Sequence, residues 1–502
     1  MRARLIRRAE GQLDWVCARI TRYRLARRSA AGEAAFSGLG SLDFAHPRTR
    51  GLLCYMKTII KLKELPLTLL AGATALTLAA CGQAIEPAST PRSSPEPTVD
   101  AVASVESDVA QPRLVVAHEA GIQVFDVLND GTLEPVGKFA TEAQPRLTVA
   151  TDDRHVFLTQ GSIGLTEILD AGSYSNGHGD HFHHYFREPA LRVDVIRGDR
   201  PVHVVGSHGR TAIFNDGDGS VNIFTDNGLI AGGLIIETVA TNTAHHGVAV
   251  PLDQGYLVTE APPEGSPSTV VMVGADGQEL ARWDNACASL HGEVTVRDTA
   301  FFGCADGVLA IDTHDQSSTF IPNPAGTDGV RVGTFYPSNA SEVVVGNWGS
   351  EAFSLVNIES QTITPVVMGE PLGAGARDAR GDFLVLTLDG ELMGFDVHSG
   401  TETGHVDALE PFEVEPGHGS VRPSIAVVGD WAFITDKDGE RIVVVNLETW
   451  EVMGSYDLAY VPTQVVATAT AALVIEPHDH DHDEDHHDDH DDHDDHDDDH
   501  DH

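Results

Sequence analysis

The chain has 502 residues, with 32 Lys and Arg against 76 Asp and Glu, a formal net charge of −44. Such an excess of carboxylates repels nucleic acid and anionic lipid surfaces, and it attracts cations. Nucleic acid is therefore excluded as a partner.

Residues 1–55 carry eleven Arg and four acidic residues. They stand in front of a segment that ought itself to be N-terminal, so they read as a mis-called upstream extension. Residues 56–80 form a lipoprotein signal peptide. Lys57, Lys61 and Lys63 make its positive region, Leu65 to Thr77 its apolar region, and Leu78-Ala79-Ala80-Cys81 closes it. Small residues directly before a Cys resemble a bacterial lipobox, with Cys81 the lipidated residue that ties the protein to a membrane after export. Removal of residues 1–80 leaves 18 Lys and Arg against 71 acidic residues, so the exported body is more acidic still. Residues 81–111, the lipidated Cys and a Pro-, Ser- and Glu-rich run without aromatics, read as a flexible linker.

From 112 to 477 the texture changes to short runs of Val, Ile, Phe and Thr separated by Gly, Asp and Asn turns. One unit recurs: an apolar strand, a Gly/Asp turn and a second apolar strand. Examples are Leu114-Val115-Val116 with Val124-Phe125-Asp126, and Ala212-Ile213-Phe214 with Val221-Asn222-Ile223-Phe224. Phe301-Phe302 with Leu309-Ala310-Ile311-Asp312, and Phe433-Ile434 with Val444-Val445-Asn446, repeat it. The period of roughly 40–50 residues is that of a β-propeller blade. The expected fold is all-β, a propeller of eight blades with seven as the alternative. The segment near Thr463 to Thr468 is expected to pair beside the first unit and close the ring. Cys287 and Cys304, in an exported chain, are expected to form a disulfide; paired zinc thiolates are the rival reading.

Histidines fall into register on this repeat. His203, His246 and His291 each lie ten residues before an apolar strand position, Ile213, Tyr256 and Phe301, at separations of 43 and 45. Equivalent positions on inner propeller strands face the central channel, so the three imidazoles are expected to converge there as zinc ligands. His208, His245 and His418 are candidates for a fourth or substitute ligand. Four of these six are followed by Gly, which lets backbone approach closely. A second candidate is the insertion in the second unit, where His178, Asp180, His181, His183 and His184 crowd a Gly-containing loop; His181, His183 and His184 are expected to chelate one ion. The Asp216-Gly217-Asp218-Gly219 run reads as a hairpin turn rather than a calcium loop, since the closing Glu is missing. No HExxH, GxSxG or phosphate loop marks a catalytic centre.

The last 25 residues, 478–502, contain only His, Asp and one Glu. Ten imidazoles (His478, His480, His482, His486, His487, His490, His493, His496, His500 and His502) among fifteen carboxylates supply nitrogen and oxygen ligands suited to divalent zinc. Nothing in the segment can be buried, so it is expected to be a disordered metal-binding tail.

An exported propeller with the His-Phe-His-His run at 181–184, Gly-Ser-His-Gly-Arg at 206–210 and His-His-Gly at 245–247 resembles the AztD-type periplasmic zinc metallochaperones. The resemblance implies a propeller that binds Zn(II) and hands it to the solute-binding protein of a zinc ABC importer, without catalysis. The chain departs from that pattern in its lipobox and in carrying its His-rich segment at the C-terminus. The expected order of events is collection by the tail, relay through the loop at 178–184 and tight binding by the channel trio. Two alternatives accompany this reading. One is a membrane-tethered scaffold or metal buffer whose tail sequesters zinc, and the other a metal-dependent propeller hydrolase.

Overall fold

The computed structural model describes residues 104–473, apart from 179, 180, 328 and 416–419. The extension, the signal segment, Cys81 and the His/Asp tail therefore lie outside the described residues. Those described form eight four-stranded antiparallel sheets and one three-stranded sheet, with a single α-helix of six residues, Asp226–Ala231.

Each four-stranded sheet begins on a strand at the centre of the molecule. The inner strands are Arg146–Val149, Pro201–Ser207, Ala249–Pro251, Glu293–Val296, Phe335–Tyr336, Leu372–Arg377, Ile425–Val428 and Gln464–Thr468. They meet one another from sheet to sheet, for example Pro201–Ser207 with Ala249–Pro251 and Ile425–Val428 with Gln464–Thr468. This is a β-propeller. The second and third strands of each sheet are continuous apolar runs because they are covered on both faces by neighbouring sheets; Phe125, Phe214, Phe302 and Phe433 are fully buried there. The outermost strands, such as Glu451–Asp457, are largely exposed.

The ring closes as the sequence predicts. The final strand Gln464–Thr468 pairs with Arg113–His118, Ala117 opposite Gln464 and Arg113 opposite Thr468. The first sheet is thus built from both ends of the described chain. Leu114, Phe125, Phe433 and Ile442 pack across the seam. Closure removes the two open edges that a linear array of sheets would present.

Two expectations are corrected. The linker is not featureless to residue 111: Val105–Ser107 is a strand. The His-rich insertion is not a loop but a β-hairpin, Ser173–His178 with His181–Phe186. Val105–Ser107 pairs with its second strand, which makes the three-stranded sheet. The two strands of the hairpin pair in register from Ser173 opposite Phe186 to His178 opposite His181.

Candidate metal centre

The chain enters each inner strand through a connection that crosses one end of the propeller. His203 lies near the start of Pro201–Ser207, and His246 and His291 sit two or three residues before Ala249–Pro251 and Glu293–Val296. The shared register therefore has a structural cause: three successive connections deliver an imidazole to the same end of the central channel. Gly247 is required beside His246, since a Cβ there would lie 2.5 Å from both His245 Nε2 and the Phe214 ring. Gly292 adopts φ +79°, which turns the chain from His291 into its strand.

The three rings line one cavity of about 1030 Å³, with Asp216, Glu293, Arg146, Arg200 and Arg422 among its walls. His203 Nε2 and His246 Nε2 are 3.3 Å apart. Two zinc-bound nitrogens at about 2.0–2.1 Å and a tetrahedral angle are separated by about 3.3–3.4 Å. The His246 and His291 ring centres lie 5.4 Å apart. Among the described residues no three His, Cys, Asp or Glu side chains are drawn together tightly enough to grip an ion as they stand. The arrangement is a ligand pair at coordination spacing with a third imidazole alongside.

The Nδ1 atoms are committed elsewhere. His246 Nδ1 lies 2.6 Å from Asp216 Oδ2, and His291 Nδ1 lies 2.6 Å from the Gly333 carbonyl oxygen. A carbonyl or carboxylate on Nδ1 holds the proton there and leaves the lone pair on Nε2, the tautomer that binds metal. Burial, with the positive potential of His246 and Arg146, pushes His203 down to about 3 and keeps it neutral. Burial pushes the Glu293 carboxyl up to about 7, and its Oε2 lies 3.9 Å from His203 Nδ1. Asp216 Oδ1 is buried without a hydrogen-bond partner. The centre thus combines three imidazoles with two carboxyls, a donor set suited to a divalent cation.

Sequence reasoning missed both carboxyls. The sequence pattern puts Asp216 in a hairpin turn, which is where it sits, between Arg210–Asn215 and Ser220–Thr225. That turn lies at the cavity end, with Asp216 N bonded to the Arg200 carbonyl. Glu293 follows the His291-Gly292 step directly; that spacing was the available signal.

Other candidates are placed differently. His245 lines the cavity, but its Nδ1 is 2.8 Å from Thr243 O and its Nε2 3.2 Å from Thr259 Oγ1. Its Nδ1 thus engages the backbone and its Nε2 the Thr259 hydroxyl. His208 and Gly209 are the two central residues of the turn between Pro201–Ser207 and Arg210–Asn215, both at positive φ. His208 is therefore at the opposite end of its strand from His203, beside Asp298. His418 and Asp180 lie outside the described residues. His184 bonds Ser175 Oγ at 2.8 Å, whereas His183 Nδ1 is 2.9 Å from Glu106 Oε1. Opposite faces of the hairpin carry these two histidines, so one ion cannot take both as expected. The hairpin follows Leu165–Asp170, whose Asp170 end pairs with His155, whereas Arg146 at the cavity pairs with Thr159. Hairpin and cavity thus occupy opposite ends of the propeller, and a direct relay from one to the other is not built into the fold. Cys287 and Cys304 are joined, S–S 2.05 Å.

No family model matches the chain. It is similar to the zinc chaperone AztD of Citrobacter koseri, 27% identical over 411 residues that span 77% of this chain and 93% of that protein. Two solved structures of that protein, one of them the apo form, share its fold. They superpose at TM-scores of 0.67 and 0.65, each 24% identical and covering 72% of this chain and 98% of theirs. The resemblance read from the short histidine motifs is thus borne out along most of the propeller.

Proposed function

We propose that this protein is an exported zinc carrier, which binds Zn(II) at the cavity and passes it to the solute-binding protein of a zinc ABC importer in the periplasm. Similarity to a zinc chaperone supports the class of function, and carrier work requires no catalytic step. The single observation that carries the cavity assignment is the 3.3 Å separation of His203 Nε2 and His246 Nε2, with the His246 Nδ1 proton directed to Asp216. Zinc takes the place of the proton between the two rings. His291 and the Glu293 carboxyl complete four ligands, and ionisation of Glu293 releases a proton as the metal enters.

Arg146, Arg200 and Arg422 share the cavity wall in an otherwise acidic chain. They oppose entry of a bare cation and attract a carboxylate-bearing segment of the partner. Release then proceeds by stepwise ligand exchange, each incoming ligand replacing one imidazole, so that hydrated metal is never set loose. Cys81, if lipidated, holds the carrier at the membrane while the linker lets the propeller reach its partner.

Chelator competition on the full chain tests the reading. One zinc much tighter than the rest is expected, and it is lost when His203, His246 and His291 are replaced by Ala. Asp216→Asn should weaken it about 10–100-fold, the usual effect of removing a group that orients a metal-bound His. Tight zinc that survives the triple substitution would remove the cavity as the carrier site.

A further inference from the structure

The chain reaches the inner strand Phe335–Tyr336 through residues 329–334, which lie in backbone contact with the preceding sheet. Val332 is fully buried there. A Cβ at Gly303 would lie 2.1 Å from the Val332 carbonyl oxygen and 2.7 Å from that of His291. One at Gly292 would lie 2.7 Å from the Gly333 carbonyl oxygen. Glycine at both positions lets the connection pass directly against the His291-Gly292 step. His291 is held there through its own amide, which donates to the Gly303 carbonyl at 2.9 Å. Arg331 Nη1 donates to the Ser289 carbonyl at 3.2 Å, a second tie between the connection and the segment that carries His291.

The peptide group joining Gly333 to Thr334 makes a hydrogen bond on each side. A trans peptide is planar, and its C=O and N–H point in opposite directions. On one side the Gly333 carbonyl oxygen takes the His291 Nδ1 proton at 2.6 Å. A carbonyl can only accept, so this bond keeps the proton on Nδ1 and the lone pair on Nε2. On the other side the Thr334 N–H donates to Asn347 Oδ1 at 2.8 Å. The same oxygen accepts the Gly333 N–H at 2.8 Å, and the Asn347 N–H donates to the Thr334 carbonyl at 3.0 Å. Three bonds from one residue of the strand Val344–Trp348 therefore fix the plane whose carbonyl meets His291. His291, Gly333, Thr334 and Asn347 also line a cavity of about 370 Å³, open space that offers little packing to hold the plane should those bonds be lost.

Taking the cavity as the carrier site, as proposed above, we propose that Asn347 is the positioning residue of His291. Asn347 fixes the peptide plane, the Gly333 carbonyl fixes the tautomer and direction of the imidazole, and His291 thereby presents Nε2 to an ion held by His203 and His246. His246 is oriented by a carboxylate, Asp216 at 2.6 Å from its Nδ1. For His291 the orienting group is a backbone carbonyl, which has no side chain of its own, so the task falls to the residue that holds its peptide plane. The chemistry at position 347 that matters is an acceptor oxygen. Leu matches Asn in shape but leaves two amide protons without that partner, whereas Asp keeps the oxygen.

Chelator competition on the full chain with zinc chloride tests this, with thermal unfolding to confirm that each variant is folded. Asn347→Leu should weaken the tight zinc about tenfold, the lower end of the effect of removing a group that orients a metal-bound His. Asn347→Asp should restore parental binding. In a His291→Ala background Asn347→Leu should have no further effect, because the two residues act through one ligand. Nitrogen-15 NMR of the zinc-free chain gives a second readout. The His291 ring, identified by its absence from the His291→Ala spectrum, should carry its proton on Nδ1 in the parent and in Asn347→Asp, and should lose that preference in Asn347→Leu. Parental zinc affinity in Asn347→Leu, a loss that persists undiminished in the His291→Ala background, or a His291 tautomer indifferent to Asn347→Leu overturns the positioning role while leaving the cavity site in place. Tight zinc that survives Ala at His203, His246 and His291 instead overturns the carrier reading, and with it any role of Asn347 in zinc binding.

Discussion

Glu293 is the residue at which the chemistry of the centre and the stability of the fold are in direct conflict. Its carboxyl is pushed up from 4.5 to about 7 by burial, which favours the neutral form in the folded state. A group with a raised folded pKa contributes stability below its unfolded pKa and loses it as pH rises through the folded value. For Glu293 that window runs from about pH 4.5 to about pH 7. Without zinc, Glu293→Gln should match the parent near pH 4.5 and exceed it by up to about 3 kcal/mol at pH 8. Urea unfolding in chelator at the two pH values checks this, and an equal gap at both would remove the buried-acid account. On the proposed carrier reading, a cation in the cavity would reverse the conflict, because it would need the carboxylate that burial disfavours. The sequence shows a Glu two residues after a His; only the closed ring shows that it is largely buried in the cavity wall.

At the scale of elements, the disulfide illustrates what spacing can and cannot convey. Cys287 and Cys304, both fully buried, tie the connection that carries His291 to the strand Thr299–Cys304. Closing a loop of this length stabilises by roughly 3 kcal/mol in the chain-entropy model. Cys287→Ala with Cys304→Ala should lower stability by about that amount while the tight zinc remains, as read by urea unfolding and chelator competition. Loss of the tight zinc with stability unchanged would favour thiolate ligation instead. The hairpin is the contrasting case. Gly and clustered His suggested a loop, because a run of four His and an Asp carries no apolar alternation. Tyr174, Tyr185 and Phe182 supply the pairing instead, aromatic contacts across and along the strands that favour a sheet.

The whole molecule depends on the seam between its ends. Gln464–Thr468 covers Arg113–His118, and the Gln464 side chain exchanges hydrogen bonds with the Leu147 backbone in the next sheet at 2.8 and 2.9 Å. A chain ending at Val461 loses this strand and exposes an apolar edge. It should show no cooperative unfolding transition, whereas a chain ending at Glu476 should unfold like the parent. Thermal unfolding followed by circular dichroism distinguishes them, and a normal transition in the shorter chain would show that the ring need not close. The seam also places the two histidine-rich features. Every inner strand runs in the same sense, so connections leading into them meet at the cavity end, while the hairpin and the last described turn lie at the other.

The sequence by itself determined the class of fold, because strands covered on both faces must be continuous apolar runs, and such runs recur at the blade period. It also determined which three histidines share a register, since a repeating unit maps equal spacing onto equivalent positions. Tertiary structure alone decided what surrounds them. Asp216 and Glu293 come to the cavity from a turn and a strand whose local patterns carry no mark of a ligand, and their environment is created by packing. It alone separated His208 from His203, because strand direction assigns the two ends of one strand to opposite ends of the ring. Strand pairing, finally, set Glu106 beside His183 across 77 residues of chain, a neighbourhood that depends on long-range register and that no local spacing encodes.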